Sequence, residues 1–484
     1  MCKFKNALTK IILNNLLLKN YIRCKRKAWL NFHGNKSYQV WSPHNAIQSI
    51  TQYRNFQILT NNDLFFGKKG CEIGTDGLIG FKVQNKLGNY SNVEICPPLL
   101  KKVDGKSKWG DYKYIPVISK QGKKTTKENL IELSICAIIF ETFQESKIEK
   151  GLVISNFNNR FNVEHISISR KLRENTIFLY SQLKESLLGS IPAITKDRKK
   201  CAICTWQKYC NSEAKSKGFL TDIDGIGSKT SLLLQEVGIS TIKELSNIEA
   251  KDLHMKLYNF QKDNLERTSN FINQAKSYLS GNPSVKKHNR DFLKIKSLIK
   301  KGFFIFDIES NPDEKHDFLY GFLSINNIYD KNDIESYEAI LNINKQNSEK
   351  SIKQLFLKIA SREEWPILHY GETEKVSILH LAINSGMDKL KIDKLKLRFI
   401  DLHELIKKSW ILPLRNYSLK TVANWTGFEW AQKNANGSKA LYWWILYENT
   451  LNKNYLKQII QYNRDDCFAT LAIARWLLKN SHEI

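Results

Sequence analysis

Phe303-Phe304-Ile305-Phe306 runs straight into Asp307-Ile308-Glu309, and this junction constrains the chain more than any other stretch. Four consecutive apolar residues read as a buried strand, and the acids mark its end. Positions two apart on a strand face the same side, so Asp307 and Glu309 project together while Ile308 points into the core. A strand end reaches Asp-x-Glu often enough by chance that the pattern needs support from elsewhere. Two segments supply it. Pro366-Ile367-Leu368-His369-Tyr370-Gly371-Glu372-Thr373-Glu374 follows a strand-like run and leads into a helix expected over 375–386, which puts Glu374 at a helix start. Tyr462-Asn463-Arg464-Asp465-Asp466 opens a helical stretch expected to run to Leu478, and i,i+4 spacing sets Tyr462 and Asp466 on one face. Asp401 lies at another strand end and reads as a turn cap or as a fifth ligand. His369 reads as a packing residue, Arg415 and Lys420 as phosphate contacts, and Trp425, Trp430, Trp443 and Trp444 as core more than base-stacking surface.

Charge divides the chain. Residues 301–484 hold 25 Lys+Arg and 23 Asp+Glu, whereas residues 1–300 hold 50 and 25. An AT-rich coding bias would raise lysine throughout and would not respect that boundary. A strongly basic region joined to a balanced one is the pattern of a polyanion-binding part attached to one that tolerates clustered acids, and nucleic acid is the commonest such polyanion. Lys101, Lys102, Lys120, Lys123 and Lys124, with Trp109, Tyr112 and Tyr114 interleaved, fit either a phosphate-binding, base-stacking groove or a solvated strand edge. The apolar runs at Ile11–Leu18 and Ile135–Phe140 are far shorter than the ~20 residues of a bilayer helix. With no cleavage site after the first, a soluble cytoplasmic protein is expected, with no membrane partner.

The nine cysteines are odd in number and scattered, which argues against a disulfide framework. Cys201, Cys204 and Cys210 form a C-x2-C-x5-C run that lets three thiolates converge, and Cys24, in an Arg- and Trp-rich segment, is the candidate fourth. Such a set suits a [4Fe–4S] cluster or a structural Zn2+, which the ligands alone do not separate. Farther on, Ile223-Asp224-Gly225-Ile226-Gly227-Ser228-Lys229 reads as a helix, a tight glycine turn and a second helix, with Gly225, Gly227 and Lys229 placed for a phosphate at the helix start. Residues 277–289 read as a linker.

A lone N-terminal cysteine closing on the C-x2-C-x5-C run resembles RecB-like nucleases with an iron–sulfur staple. Nearly the whole chain resembles a bacterial family of RecB-like nucleases that carry a helix-hairpin-helix and a C-terminal RNase H-like exonuclease domain of YprB type. The resemblance implies an α/β protein with a RecB-like (PD-(D/E)xK-type) domain over 1–215, a hairpin joint over 216–285 and an RNase H-like domain with a mixed sheet over 290–484. It also implies the [4Fe–4S] cluster over zinc. In the first domain the expected acids are replaced by Pro98 and Ile118 while the lysine survives as Lys120, so that core is expected to be degenerate unless Glu94, Asp104 or Asp111 substitutes. In the last, the three acidic segments resemble the DEDD exonuclease pattern of the tyrosine subclass. Asp307 and Glu309 match its first motif, and Tyr462 and Asp466 its third. The second departs, with His369 and Glu374 in place of Asn and Asp.

The implied chemistry is phosphodiester cleavage with two Mg2+ or Mn2+ ions. Asp307 would bridge both ions, Glu309 and Asp466 would hold the one carrying the attacking water, Glu374 would fix the other, and Tyr462 would orient that water. The expectation is a 3′→5′ exonuclease on single-stranded DNA or RNA, with the basic part binding the strand. The rival is a non-catalytic nucleic-acid-binding adaptor in which both cores have decayed, and a third reading relocates the acids of the first core. A helicase or repair partner stays unidentified at this level.

Overall fold

A computed structural model describes residues 13–480 apart from 88–89, 123, 158–159, 196–197, 259–264, 287–294, 296, 330–335 and 345–346. The chain divides into two compact units, Met1–Asn211 and Ser212–Ile484.

The described strands of the first unit are β1 (Leu13–Asn14), β2 (Leu64–Phe66), β3 (Gly77–Ile79), β4 (Val83–Leu87), β5 (Tyr90–Ile95), β6 (Leu99–Ser107), β7 (Gly110–Ser119), β8 (Lys150–Phe157) and β9 (Arg160–Ser167). They form two mixed sheets, in the orders β1-β5-β4 and β2-β3-β6-β7-β8-β9. The helix Lys127–Gln144 belongs to the core of this unit. Its start is fixed by a reciprocal cap, in which the Thr126 hydroxyl accepts from the Asn129 N–H and the Asn129 side chain accepts from the Thr126 N–H. Ile131, Leu133, Ser134, Ile135, Cys136, Ala137, Ile139 and Phe140 are all at most 1 % exposed, and together they circle the helix. The apolar run at Ile135–Phe140 is thus an enclosed core helix, and no described helix is long and apolar enough to cross a membrane.

In the second unit the strands are β10 (Ser284–Val285), β11 (Phe303–Asn311), β12 (His316–Ile325), β13 (Ser336–Leu341), β14 (Ile367–His369), β15 (Phe399–Asp401) and β16 (Trp410–Ile411). The main sheet has the order β13-β12-β11-β14-β15, with β12 antiparallel to both neighbours and β14 parallel to β11 and β15. The central strand is β11, which is why its sequence is apolar on both sides. Phe303 and Ile305 pack into one cluster with the helix Lys453–Lys479, and Phe304 and Phe306 into another with Leu355, Ile359 and Ile378.

Ahead of this sheet, the 3-10 turn Leu220–Asp222 and the helices Ser228–Glu236, Ile242–Asn247, Ala250–Tyr258 and Leu265–Ser280 surround a small core of Leu220, Ile223, Ile226, Leu234 and Phe271. A short 3-10 turn therefore stands where a helix was expected before Gly225, whose φ of 82° takes the left-handed region open to glycine. The linker expected over 277–289 is also corrected as far as it is described. The last helix continues through Ser280, and β10 pairs with β16. Small polar residues are there to be buried. The Gln274 amide donates to the Leu412 carbonyl at 2.5 Å and accepts from the Tyr417 hydroxyl at 3.1 Å, and that hydroxyl accepts from the Leu412 N–H at 2.8 Å.

Replacing Gln274 by Ala strands a buried carbonyl and a buried hydroxyl together. The expected cost is about 1–3 kcal/mol of stability, read as a lower urea midpoint for this unit with secondary structure unchanged at zero denaturant.

Candidate metal centre

The two faces of β11 dictate where its acids go. Because Phe303 and Ile305 face the helix Lys453–Lys479, Asp307 and Glu309 face it too, at the end where the apolar packing stops. That helix begins at Lys453, well ahead of Tyr462, and it presents Asp466 to the strand from its middle. Carboxylate oxygens of Asp307, Glu309 and Asp466 all lie within 4.8 Å of one another. Among the described residues this is the group of acids, histidines or cysteines close enough to share an ion.

Neutral donors aim these acids. The Asn463 amide donates to Asp307 Oδ2 at 2.6 Å, and the Trp430 indole N–H donates to Asp466 Oδ1 at 2.6 Å. Tyr462 also hydrogen-bonds Asp466. Asn463 is itself held by the Tyr337 hydroxyl at 2.8 Å and is completely buried, pressed so closely on β12 that a Cβ on Gly321 would lie 1.7 Å from its Oδ1. Lys420 stacks its ammonium over the rings of Trp430 and Tyr462, 5.2 and 5.4 Å from their centroids.

Crowding shows in the protonation equilibria. Burial, then the charges of Asp466, Glu309 and Glu374, push Asp307 well above the ordinary carboxylate range. Burial and the Asp466 charge do the same to Glu309. Burial pushes Asp466 up to about 6, although the hydrogen bonds from Trp430 and Tyr462 hold it down. The Tyr462 phenol is raised by burial and by the Asp466 charge. Lys420 is lowered by burial, against the pull of Asp466.

Glu374 sits at the start of the helix Thr373–Asn384, buried, with Oε2 lacking any hydrogen bond and His369 Nδ1 3.6 Å away. It raises Asp307 from outside the 4.8 Å group. An orphaned buried carboxylate oxygen beside three converging acids fits a divalent cation, which would supply the missing partner. His369 is fully buried and directs Nδ1 at the Gly371 carbonyl, 2.6 Å away. Asp401 caps the helix Leu402–Ser409, accepting from the N–H groups of His403 and Gly371 at 2.8 and 3.0 Å. Asp465 accepts from the Ala431 N–H and from Gln461, so Asp466 alone of this pair joins the group. Arg415 pairs with Asp222 at 3.1 Å.

In the first unit, the pairing of Leu99 with Val117 brings Pro98 beside Ile118. Lys120 is buried against Glu164 and Thr125, and Glu164 is held below its ordinary range by Lys120 and then Thr125. Glu94 pairs with Lys82 at 3.5 Å, and Asp104 and Asp111 are exposed toward the far end of the β6–β7 hairpin. Lys101 is paired with Asp76, and Lys102 donates to the Gly74 carbonyl at 2.8 Å and lies over Tyr112. Lys124, Gly225, Gly227 and Lys229 are exposed, and Lys123 lies outside the described residues. The interleaved aromatics face inward. Tyr114 is fully buried with its hydroxyl on the Thr75 carbonyl, Tyr112 donates to the Cys71 carbonyl, and Trp109 packs on Phe140 and Phe143. They are unavailable to stack bases, because alternation with Lys113 along β7 turns Tyr112 and Tyr114 into the core and Trp109 packs onto it from the turn between β6 and β7.

Cys24 stands between the helices Asn15–Arg23 and Lys25–His33, Cys201 and Cys204 lie in and just after the 3-10 turn Lys199–Ile203, and Cys210 is on the helix Gln207–Lys217. All four line one cavity of about 20 Å³, which Trp206 closes by donating to Asn31 at 2.7 Å. No described cysteine is in a disulfide, and no three sulfurs lie mutually within 4.8 Å. Burial raises the Cys201 and Cys210 thiols.

Residues 304–478 match the family model of the RNase H superfamily, and residues 215–279 match that of a domain of unknown function, DUF4332. The chain matches no curated protein. The C-terminal part is therefore an RNase H-like domain carrying a buried acidic triad, consistent with a metal-dependent nuclease.

Because the folded-state values of these carboxylates lie above the ~4 of an unfolded chain, their contribution is present below pH ~4 and is lost as pH rises through the raised folded values, about 6 for Asp466. Asp307→Asn is thus expected to melt a few degrees above the wild type at pH 8 without divalent ions, the gap closing toward pH 4. Mn2+ is expected to raise the wild-type midpoint at pH 8, much less at pH 5, and not in the variant. Differential scanning fluorimetry across pH reads all three.

Proposed function

We propose that this chain is a divalent-metal-dependent 3′→5′ exonuclease on single-stranded nucleic acid, cutting at a centre formed by Asp307, Glu309, Glu374, Tyr462 and Asp466. The observation that carries the reading is the convergence of three acids within 4.8 Å at the end of the central strand of an RNase H-like domain. Bound there, two Mg2+ or Mn2+ ions would supply an acidified water and a counter-charge for the leaving oxygen. Asp307, Glu309, Asp466 and Glu374, whose Oε2 has no hydrogen bond and lies 3.6 Å from His369 Nδ1, would hold them. Asn463 and Trp430 fix two of the carboxylates before any ion arrives, which removes a reorganisation cost from the reaction. Tyr462 keeps its proton, since burial and Asp466 raise its phenol, so it orients the attacking water as a hydrogen-bonding group and not as a base. The polarity and the single-strand preference rest on the likeness to tyrosine-type DEDD exonucleases. Strand binding is assigned to the basic first unit, read as a RecB-like fold whose own metal seat is filled by Pro98, Ile118 and the Lys120–Glu164 pair.

The same reading gives Cys24, Cys201, Cys204 and Cys210 a [4Fe–4S] cluster that staples the ends of the first unit. It is supported by their meeting on one cavity. A single Zn2+ with Zn–S bonds of ~2.3 Å would draw four sulfurs to about 3.8 Å from one another, and no three of these sulfurs stand mutually within 4.8 Å, whereas a four-iron cluster spreads its thiolates farther apart.

With Mn2+ and 5′-labelled single-stranded DNA or RNA, the wild type is expected to give a ladder shortening from the 3′ end, abolished by Asp307→Ala and by Asp466→Ala. Binding without cutting by the wild type would replace the enzyme with an adaptor. Anaerobically purified protein is expected to contain iron and to absorb broadly near ~400 nm, and stoichiometric zinc without that band would overturn the cluster.

A further inference from the structure

Next to the cysteine cavity the first unit opens a second one of about 100 Å³. That is space for several waters, and a tetrahedral oxyanion fits within it. Its wall carries Arg23, Lys27 and Lys200, with the Asn45 and Thr195 side chains beside them and sulfurs of the cysteine set at its floor. No carboxylate lines it, and among the described residues none of the three cations is ion-paired with an acid. The contrast with Lys101, Lys102 and Lys120 is direct, because each of those is committed to an internal partner.

The three charges come from separate places. Arg23 ends the helix Asn15–Arg23, Lys27 lies in the first turn of the helix Lys25–His33, Lys200 is on the 3-10 turn Lys199–Ile203, and Asn45 reaches in from the helix Pro43–Leu59. Cations gathered by three chain segments into a partly enclosed space repel one another unless an anion joins them. A guanidinium fork, two ammonium groups and a neutral amide are the donor set that holds a phosphate.

We infer that this cavity binds a phosphate group of the nucleic-acid strand. The inference rests on the nucleic-acid substrate proposed above and locates where the basic unit grips it, some way from the lysines that the sequence first offers. The phosphate is either one of the backbone or a terminal phosphomonoester. The competing account is that the cations offset only the charge of a metal–thiolate centre, and Asn45 separates the two, since it is uncharged and lies outside the cysteine segments.

The test uses the full chain without added divalent ions, binding 5′-hydroxyl and 5′-phosphorylated single-stranded oligonucleotides across a salt series. Asn45→Asp, Arg23→Gln and Lys200→Ala are each expected to weaken binding about 5–10-fold, and each lost cation to reduce the slope of log K against log salt by about 0.7. Equal losses on the two oligonucleotides identify a backbone phosphate, and a loss confined to the phosphorylated one identifies a terminal phosphate. Iron and zinc content and melting midpoint are measured alongside. Unchanged affinity and slope in Asn45→Asp, in protein with wild-type metal content and midpoint, would overturn the inference in favour of charge compensation at the thiolates. Hydrolysis of thymidine 5′-(4-nitrophenyl) phosphate with Mn2+ reports the cutting centre separately. Its absence from the wild type would sink the exonuclease while the binding series still judged the phosphate site.

Discussion

Three carboxylates are forced together where apolar packing ends, and the arrangement of the second unit follows from keeping them there. Two unit charges ~4 Å apart repel by about 4 kcal/mol at an effective dielectric of 20, and burial adds the cost of lost hydration. Without an ion, the chain escapes by holding protons on its acids, which is why their titration is displaced upward. The groups that touch the acids are informative. Asn463 and Trp430 are neutral, so they set direction without cancelling charge, and Lys420 is held back over two aromatic rings. A cation bonded directly to Asp307 or Asp466 would have satisfied the site and left little affinity for a metal.

The first unit shows the opposite solution. Lys120 lies directly on Glu164, Lys101 on Asp76 and Arg173 on Glu141, so these charges close on one another, and among the described residues of this unit no three acids gather within 4.8 Å. What it retains is a surplus of cations, some of them gathered in the small cavity beside the cysteines.

Much of the second unit could be read from the chain alone, because local patterns there carry tertiary meaning. The apolar run before Asp307 announced a central strand, and the i,i+4 spacing of Tyr462 and Asp466 announced a shared helix face. Glu374 was found by its place at a helix start, although the helix begins at Thr373. Asn463 was missed, since its importance comes from Gly321 and Tyr337 on neighbouring strands, and no local spacing encodes that. The aromatic residues between the lysines of β6 and β7 misled for the converse reason. Alternation along a strand looks the same whichever face is wet, and only the packing of Trp109, Tyr112 and Tyr114 against other elements decides it.

The acids that meet at the centre lie far apart in the chain, Asp466 following Asp307 after roughly 160 residues, with Asn463 and Tyr462 beside the later one. A chain emerging from the ribosome therefore exposes Asp307 and Glu309 long before their partner exists, and the strand that bears them has its helix-side face uncovered until the segment Lys453–Lys479 is made. Convergence of the three acids and completion of the core become one event, so a truncated or half-built copy of this protein never brings its carboxylates together.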